Sequence, residues 1–237
     1  MVASPPLRWL DPNDVEAPFP DVKYALKEPD GLLAVGGDLS PPRLLRAYRH
    51  GIFPWYSSDQ PILWWSPDPR SVLYPENLKV SRSLRKTLKR HVFTVTADAA
   101  FRSVIECCAE LRGAGGGTWL TRDMIEAYCR LYTMGHAHSV ETWYEGELVG
   151  GLYGLALGRI FFGESMFSRR SDASKIAFVK LVEHLRKWGF VLIDCQVASA
   201  HLASLGAVAI PRRDFIAALN RHCDPPAPWG TWDDSDG

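Results

Sequence analysis

The run Arg159-Ile-Phe-Phe-Gly-Glu-Ser-Met166, the segment Asp172 to Trp188 and the run Phe190-Val-Leu-Ile-Asp-Cys-Gln196 together decide the fold. The first and last read as strands, and the middle segment as a helix stopped by Gly189. A strand, a helix of this length and a second strand form a crossover unit, so the two strands are expected to be parallel neighbours. Ligands of such sheets sit beyond the carboxyl ends of the strands, where neighbours diverge. Side chains alternate along a strand, so Asp194 and Gln196 are expected on one face, and Phe162 and Glu164 likewise share a face. Two carboxylates and an amide then converge at the mouth of one sheet, with apolar residues behind them.

Working outward, the α/β pattern begins near Val72. Ser81 caps a helix to about Arg90, Val92 to Thr96 reads as a strand, and Ala99 to Arg112 as a helix. A glycine linker, Gly113 to Gly117, precedes a helix capped by Thr121 and ended by Gly135. Ser139 to Tyr144 and Glu147 to Leu157 are strands of a hairpin turning at Glu145-Gly146. Upstream, Gly31-Leu-Leu-Ala-Val-Gly-Gly-Asp38 is a short apolar run closed by glycines. Ser40 and Pro41 then open a helix that Gly51 stops. The aromatic, proline-spaced stretch from Ile52 to Pro69 reads as a loop, a poor core and a plausible ligand wall. A boundary near Asp68 divides the chain into a small N-terminal domain, 1–68, and a larger α/β (α+β) domain, 69–237.

Composition excludes several classes. The chain has 237 residues, 46% apolar and 23% charged, enough for a sizeable core, and its formal net charge is zero. Any nucleic-acid contact must therefore come from a local patch. No window approaches the roughly 18 apolar residues that span a bilayer, and the first residues lack the layout of a secretory signal. Five cysteines without C-x-x-C spacing argue against a disulfide scaffold or a structural zinc site. The expectation is a reduced, cytoplasmic protein with no membrane partner.

A local basic patch is present. Lys79, Arg82, Arg85, Lys86, Lys89 and Arg90 occur with no acid among residues 79 to 91. The 82, 85, 86, 89 spacing sets four cations on one helical face while Leu84 and Leu88 occupy another. In a neutral protein such a face meets phosphates or is simply solvated. Trp55, Tyr56, Trp64, Trp65 and Trp119 form an aromatic set, suited to stacking an unpaired base or to packing between domains. His136 and His138 lack metal-ligand company, and no phosphate-binding glycine loop of the nucleotide-hydrolase kind is present.

In order along the chain, Gly31-Leu-Leu-Ala-Val-Gly-Gly-Asp-Leu-Ser40, Gly51-Ile-Phe-Pro-Trp55, Ile62-Leu-Trp-Trp-Ser-Pro-Asp-Pro-Arg70, Gly117-Thr-Trp119, Gly135-His-Ala-His-Ser139, Leu148-Val-Gly-Gly151, Gly163-Glu-Ser-Met-Phe-Ser-Arg169, Leu192-Ile-Asp-Cys-Gln196 and Ala203-Ser-Leu-Gly206 resemble the bacterial leucyl/phenylalanyl-tRNA–protein transferase family. The likeness spans roughly residues 28 to 222. It implies a small N-terminal domain on a mixed-sheet domain similar to the acetyltransferase (GNAT-like) fold. It also implies transfer of Leu or Phe, less readily Met, from aminoacyl-tRNA to proteins beginning with Lys or Arg, creating a degradation signal. By similarity, Trp55 and Trp119 hold the terminal adenosine of the tRNA, and Glu164, Asp194 and Gln196 form the catalytic polar site. Arg82, Arg85, Lys86, Lys89 and Arg90 contact tRNA phosphates, and Leu152, Phe161 and Leu181 wall a pocket for the aminoacyl side chain.

The ester of an aminoacyl-tRNA is already activated, so the reaction needs no ATP, metal or other cofactor. The attacking α-amine titrates at about 7.7–8.0, against about 3.9 for an ordinary Asp. Asp194 is therefore expected to act mainly through Gln196, which orients the amine and helps remove a proton, while Glu164 reads the amine or the acceptor's basic side chain. Two rivals remain open at this level. A coenzyme A acetyltransferase is disfavoured because Ser168-Arg-Arg-Ser-Asp172 lacks a glycine to cradle pyrophosphate. A non-catalytic tRNA-binding module leaves Asp194 and Gln196 without a purpose.

Overall fold

A computed structural model of the chain describes residues 7–113, 120–224 and 232. The N-terminal part builds a four-stranded sheet from β1 (Arg8–Leu10), β2 (Leu32–Gly36), β3 (Phe53–Pro54) and β4 (Leu63–Trp65), in the order β1-β2-β4-β3. Helix α1 (Pro41–Arg49) joins β2 to β3. Ser40 occupies its N-cap position without capping through its side chain. Asp38 instead accepts the Ser40 backbone N–H at 2.7 Å and pairs with the buried Arg43 at 2.7 Å. Gly51, at φ 73°, ends the helix in the left-handed region that favours glycine.

The aromatic stretch is more ordered than a loop. Residues 53–54 and 63–65 pair as strands, and Trp64 is fully buried with its indole N–H donating to the Gly36 carbonyl at 2.8 Å. Tyr56 is buried too, so these two rings are core and the expectation of a poor core fails for them. Trp55 remains exposed, with Trp65 packed beside it at 5.7 Å between centroids. Strand pairing buries one face of this short sheet, and the prolines fall at its ends and edges, where no ladder donor is needed.

From Arg70 the chain enters a seven-stranded mixed sheet. Its elements are β5 (Arg70–Leu73), α2 (Arg82–Lys89), β6 (Thr94–Ala97), α3 (Phe101–Gly113), α4 (Arg122–Thr133), β7 (Ala137–Tyr144) and β8 (Glu147–Leu157). There follow β9 (Ile160–Ser168), α5 (Ala173–Lys187), β10 (Leu192–Gln196), α6 (Ala200–Ser204), β11 (Val208–Ile210) and α7 (Arg212–His222). The strand order is β11-β5-β10-β9-β8-β7-β6. The deciding stretch behaves as its sequence requires: β9 and β10 pair in parallel across α5, and β7 and β8 form the hairpin turning at Glu145-Gly146. The strand expected at Val92 lies slightly later, at Thr94–Ala97.

Helices cover both sheet faces. Val104, Ile105 and Tyr128 of α3 and α4 join Tyr153, Phe162 and Leu192 in one apolar cluster. Phe178 and Leu181 of α5 join Leu152, Phe161 and Ile193 in another. The first cluster also takes in Leu44, Tyr48 and Trp64, so the two sheets share a core across residues 65–70. Among the described residues no helix is long and apolar enough to cross a membrane.

Candidate active site

Strands β9 and β10 stay paired only from Ile160 and Leu192 to Phe162 and Asp194. Beyond that point β9 continues alongside β8 alone, while β10 turns away. The fork leaves Glu164 on one arm and Gln196 on the other, and the Gln196 amide Nε2 donates across it to Glu164 Oε1 at 3.3 Å. This is the divergence that the crossover topology creates at strand C-termini.

Plain alternation does not hold to the end of β10. Its pairing with β5 slips between Asp194 and Gln196, and Gln196 has a left-handed backbone at φ 53°. The expectation that Asp194 and Gln196 share a face by simple pleating is thereby corrected: a bulge re-aims the amide. Such a conformation costs a residue with a Cβ about 1–2 kcal/mol. The Asp194 carboxylate braces it by accepting the Gln196 backbone N–H at 3.0 Å.

Asp194 itself is fully buried and is gripped by Arg70, whose Nε and Nη2 reach its two oxygens at 2.8 and 2.7 Å. Arg70 also donates to the Gly51 carbonyl at 3.0 Å. Its guanidinium lies against the rings of Phe53 and Phe215, at 4.8 and 4.6 Å from their centroids. An arginine thus ties the end of α1, β3, α7 and the fork together. Asp194 meets Gln196 through the backbone, whereas the Gln196 side chain meets Glu164.

Glu164 is half-buried at the fork. Its Oε2 accepts a 2.8 Å hydrogen bond from Tyr128 of α4, whose hydroxyl is in turn hydrogen-bonded to that of Tyr48 on α1. Burial raises its pKa to about 7, opposed by the tyrosine hydrogen bonds and reinforced by the Asp194 charge. Arg70 closes one of the family-like runs, but nothing in that run marks it as the partner of Asp194, and Tyr48 and Tyr128 carry no signature in the sequence. The tyrosines sit on helix faces that periodicity assigns to core, and hydroxyl partners do not show in a pattern of apolar spacing.

A cavity of about 400 Å³ opens beside the fork on the α5 side of the sheet. Leu152, Phe161 and Leu181 line it with Phe178 and Ile193, and Glu164, Asp194, Gln196 and Trp55 stand at its polar side. Gly154 permits the arrangement, since a Cβ there would sit 2.6 Å from the Phe161 ring. Trp119 lies outside the described residues, as do residues 114–117 of the glycine linker. Arg82, Arg85, Lys86, Lys89 and Arg90 are all exposed on or next to α2, which packs on α5 through Leu84. They do not line the cavity. Arg85 turns two nitrogens to the Val80 carbonyl at 3.1 and 2.9 Å; none of the five is ion-paired among the described residues.

An apolar pocket beside a carboxylate and an amide suits acyl transfer to an amine, and the likeness to known proteins points to the same class. The family model for leucyl/phenylalanyl-tRNA protein transferase matches residues 72–220, and the model for that family's N-terminal domain matches residues 37–68. A protein named leucyl/phenylalanyl-tRNA–protein transferase from Stutzerimonas stutzeri strain A1501 is 60% identical over 221 residues, covering 93% of this chain and 97% of its own. One of the same name from Aromatoleum aromaticum is 61% identical over 215 residues, covering 90% of each. The chain is an aminoacyl-tRNA-dependent transferase. It belongs to the leucyl/phenylalanyl-tRNA–protein transferase family. Among solved structures, a GCN5-related N-acetyltransferase from Kribbella flavida is similar at 13% identity and a TM-score of 0.37, covering 71% of this chain and 60% of its own.

Proposed function

We propose that this transferase moves Leu or Phe, and less readily Met, from aminoacyl-tRNA to the α-amine of proteins whose first residue is Lys or Arg. The product carries a new peptide bond and an N-terminal degradation signal, and the work is done in the cytoplasm. The observation that carries this reading is the cavity: an apolar chamber whose polar side holds Glu164, Gln196 and Asp194. At about 400 Å³ it has room for a Leu or Phe side chain together with the reacting ester. Leu152, Phe161 and Leu181 would hold that side chain, with Trp119 and the exposed Trp55 stacking the terminal adenosine. The basic face of α2 would take tRNA phosphates. We divide the chain functionally at Asp68, with residues 1–68 and 69–237 as its two domains.

In this reading the amine enters at the fork and attacks the ester carbonyl beside the Gln196 amide. Holding the two reactants in place supplies much of the rate enhancement, because the ester is activated and the amine, with a pKa of about 7.7–8.0, is already partly neutral at physiological pH. Asp194, paired with Arg70 and accepting the Gln196 N–H, serves as the brace that fixes Gln196. No cofactor takes part.

Labelled leucyl-tRNA mixed with a peptide beginning with Arg tests the proposal, with and without ribonuclease and separately with acetyl-coenzyme A. RNase-sensitive labelling of the peptide is the expected result. Labelling only from coenzyme A, or none from tRNA, rejects it.

A further inference from the structure

Attack by an amine on the ribose ester leaves two proton transfers to account for. The nitrogen must lose one as the tetrahedral intermediate forms, and the departing ribose oxygen must gain one. Gln196 has no titratable group, and the Asp194 oxygens are occupied by Arg70 and the Gln196 N–H. Cys195 is buried, its thiol pushed up to about 12 by burial and then by the Asp194 charge. Glu164 is different: Asp194 is fully buried and ion-paired with Arg70, whereas Glu164 is only part-buried at the cavity and its carboxylate accepts from the neutral donors Tyr128 and Gln196. The groups facing it come from four elements: Tyr48 of α1, Tyr128 of α4, Asp194 and Gln196 of β10, and Arg70 of β5.

We infer that Glu164 takes the proton from the attacking amine and returns it to the leaving ribose oxygen, with Tyr128 and Tyr48 as the positioning residues that aim its carboxylate. This step rests on the aminoacyl transfer proposed above. The nitrogen lone pair forms the new C–N bond, and the Glu164 carboxylate removes one proton from that nitrogen. The C–O bond to the ribose then breaks, its electron pair stays on oxygen, and protonated Glu164 supplies the proton there. The carboxylate is restored, so the step balances without a further reactant.

The geometry behind Glu164 makes the return path necessary. The Tyr48 and Tyr128 hydroxyls run inward from the carboxylate, and both side chains are fully buried, Tyr48 against the edge of Phe162 and Tyr128 against Tyr153. Burial holds both phenols well above their usual range, so they donate hydrogen bonds and keep their protons. Among the described residues the hydrogen bonds traced from Glu164 run through Tyr128 to Tyr48, inside the core. A proton taken up by Glu164 can leave only through the cavity, where the ribose oxygen departs. An acid–base group that titrates near 7 is half-loaded at neutral pH, which serves both directions of transfer.

The test is a pH profile of single-turnover transfer from leucyl-tRNA to an Arg peptide whose α-amine is replaced by an aminooxy group. That nucleophile is too weakly basic to titrate over the range, so the acid limb reports the enzyme. In the unmodified protein the limb should lie near pH 7, the value to which Glu164 is raised. Tyr128→Phe removes a hydrogen bond that favours the carboxylate and should move the limb to higher pH, with tRNA affinity unchanged. Glu164→Gln should abolish the limb and lower the rate about 100-fold or more. A limb retained in Glu164→Gln would assign the proton to another group, with His201 on the cavity wall the first to examine, and would overturn the inference. So would a limb unmoved by Tyr128→Phe, a variant that keeps the aromatic ring and decides the matter even if Glu164→Gln folds poorly. Normal transfer with a flat profile rejects only this proton path, whereas absence of transfer from tRNA by the unmodified protein rejects the proposed function itself.

Discussion

Arg70 and Asp194 form a two-pronged ion pair with both side chains buried, at 2.8 and 2.7 Å. Their sequence separation joins the first strand after the N-terminal sheet to the strand that ends at the fork. Asp194 is wholly buried and its charge is balanced by Arg70, which makes it a poor acceptor for a substrate proton. The pair is best understood as the bolt that holds Gln196 where it is.

Breaking the bolt should cost stability and turnover together, and the two losses can be separated. Asp194→Ala leaves the Arg70 charge buried and unpaired, which destabilises by about 3–5 kcal/mol. The exchange Arg70→Met with Asp194→Leu removes both charges and should restore most of the melting temperature. Turnover should stay low in the double variant, while tRNA affinity falls little in either. A double variant that regains activity along with stability would show that Asp194 does not position the site.

Gln196 offers a cleaner separation. Its φ of 53° is one that glycine adopts freely, so Gln196→Gly relieves about 1–2 kcal/mol of backbone cost and loses part of that to chain entropy. The variant should melt within about 1 kcal/mol of the parent and yet lose most of its transfer rate. Parent-like turnover would mean that the bulge serves packing and the amide has no role.

The crossover and its parallel strands were legible in the sequence because they depend on apolar runs and on Gly189. The hairpin at Glu145-Gly146 and the cap at Thr121 were legible for the same local reasons; Thr121 accepts the Met124 N–H at 3.3 Å. The bulge at Gln196 was not, since a left-handed Gln is set by Asp194 and by a strand more than a hundred residues earlier. Trp64 looked like a wall residue because prolines surround it, and only pairing with β2 and β3 turns it inward. The Tyr48–Tyr128–Glu164 chain joins three distant elements, and nothing local in any of them marks a hydroxyl as a partner of the carboxylate.

The exposed cations of α2 should act on tRNA through its phosphates. Counterion release gives about 0.7–0.9 units of log-log salt slope per phosphate neutralised. Replacing Arg82, Arg85 and Lys86 with Gln should therefore flatten the slope by about two units, with Arg85 contributing least because Val80 holds its guanidinium. Filter binding of leucyl-tRNA over a salt series measures this. An unchanged slope would remove α2 from the tRNA surface.

Glu164 also ties stability to pH, with a sign opposite to that of a salt-bridged acid. Its pKa in the folded chain is raised from 4.5 to about 7, chiefly by burial, so the folded state holds this proton more tightly than the unfolded state. Stability from this group is complete below the unfolded value, declines as pH rises between the two, and is flat above the folded value. Gln at this position can still accept from Tyr128 through its oxygen, and its amide nitrogen can donate to a Gln196 amide turned over. Glu164→Gln should therefore melt close to the parent at about pH 5 and clearly above it at about pH 8. Thermal melts at both values give the comparison. An equal difference at the two would mean that Glu164 titrates normally in the folded chain, and a variant less stable at the higher pH would mean that the carboxylate is favoured there by a partner stronger than the cost of its burial.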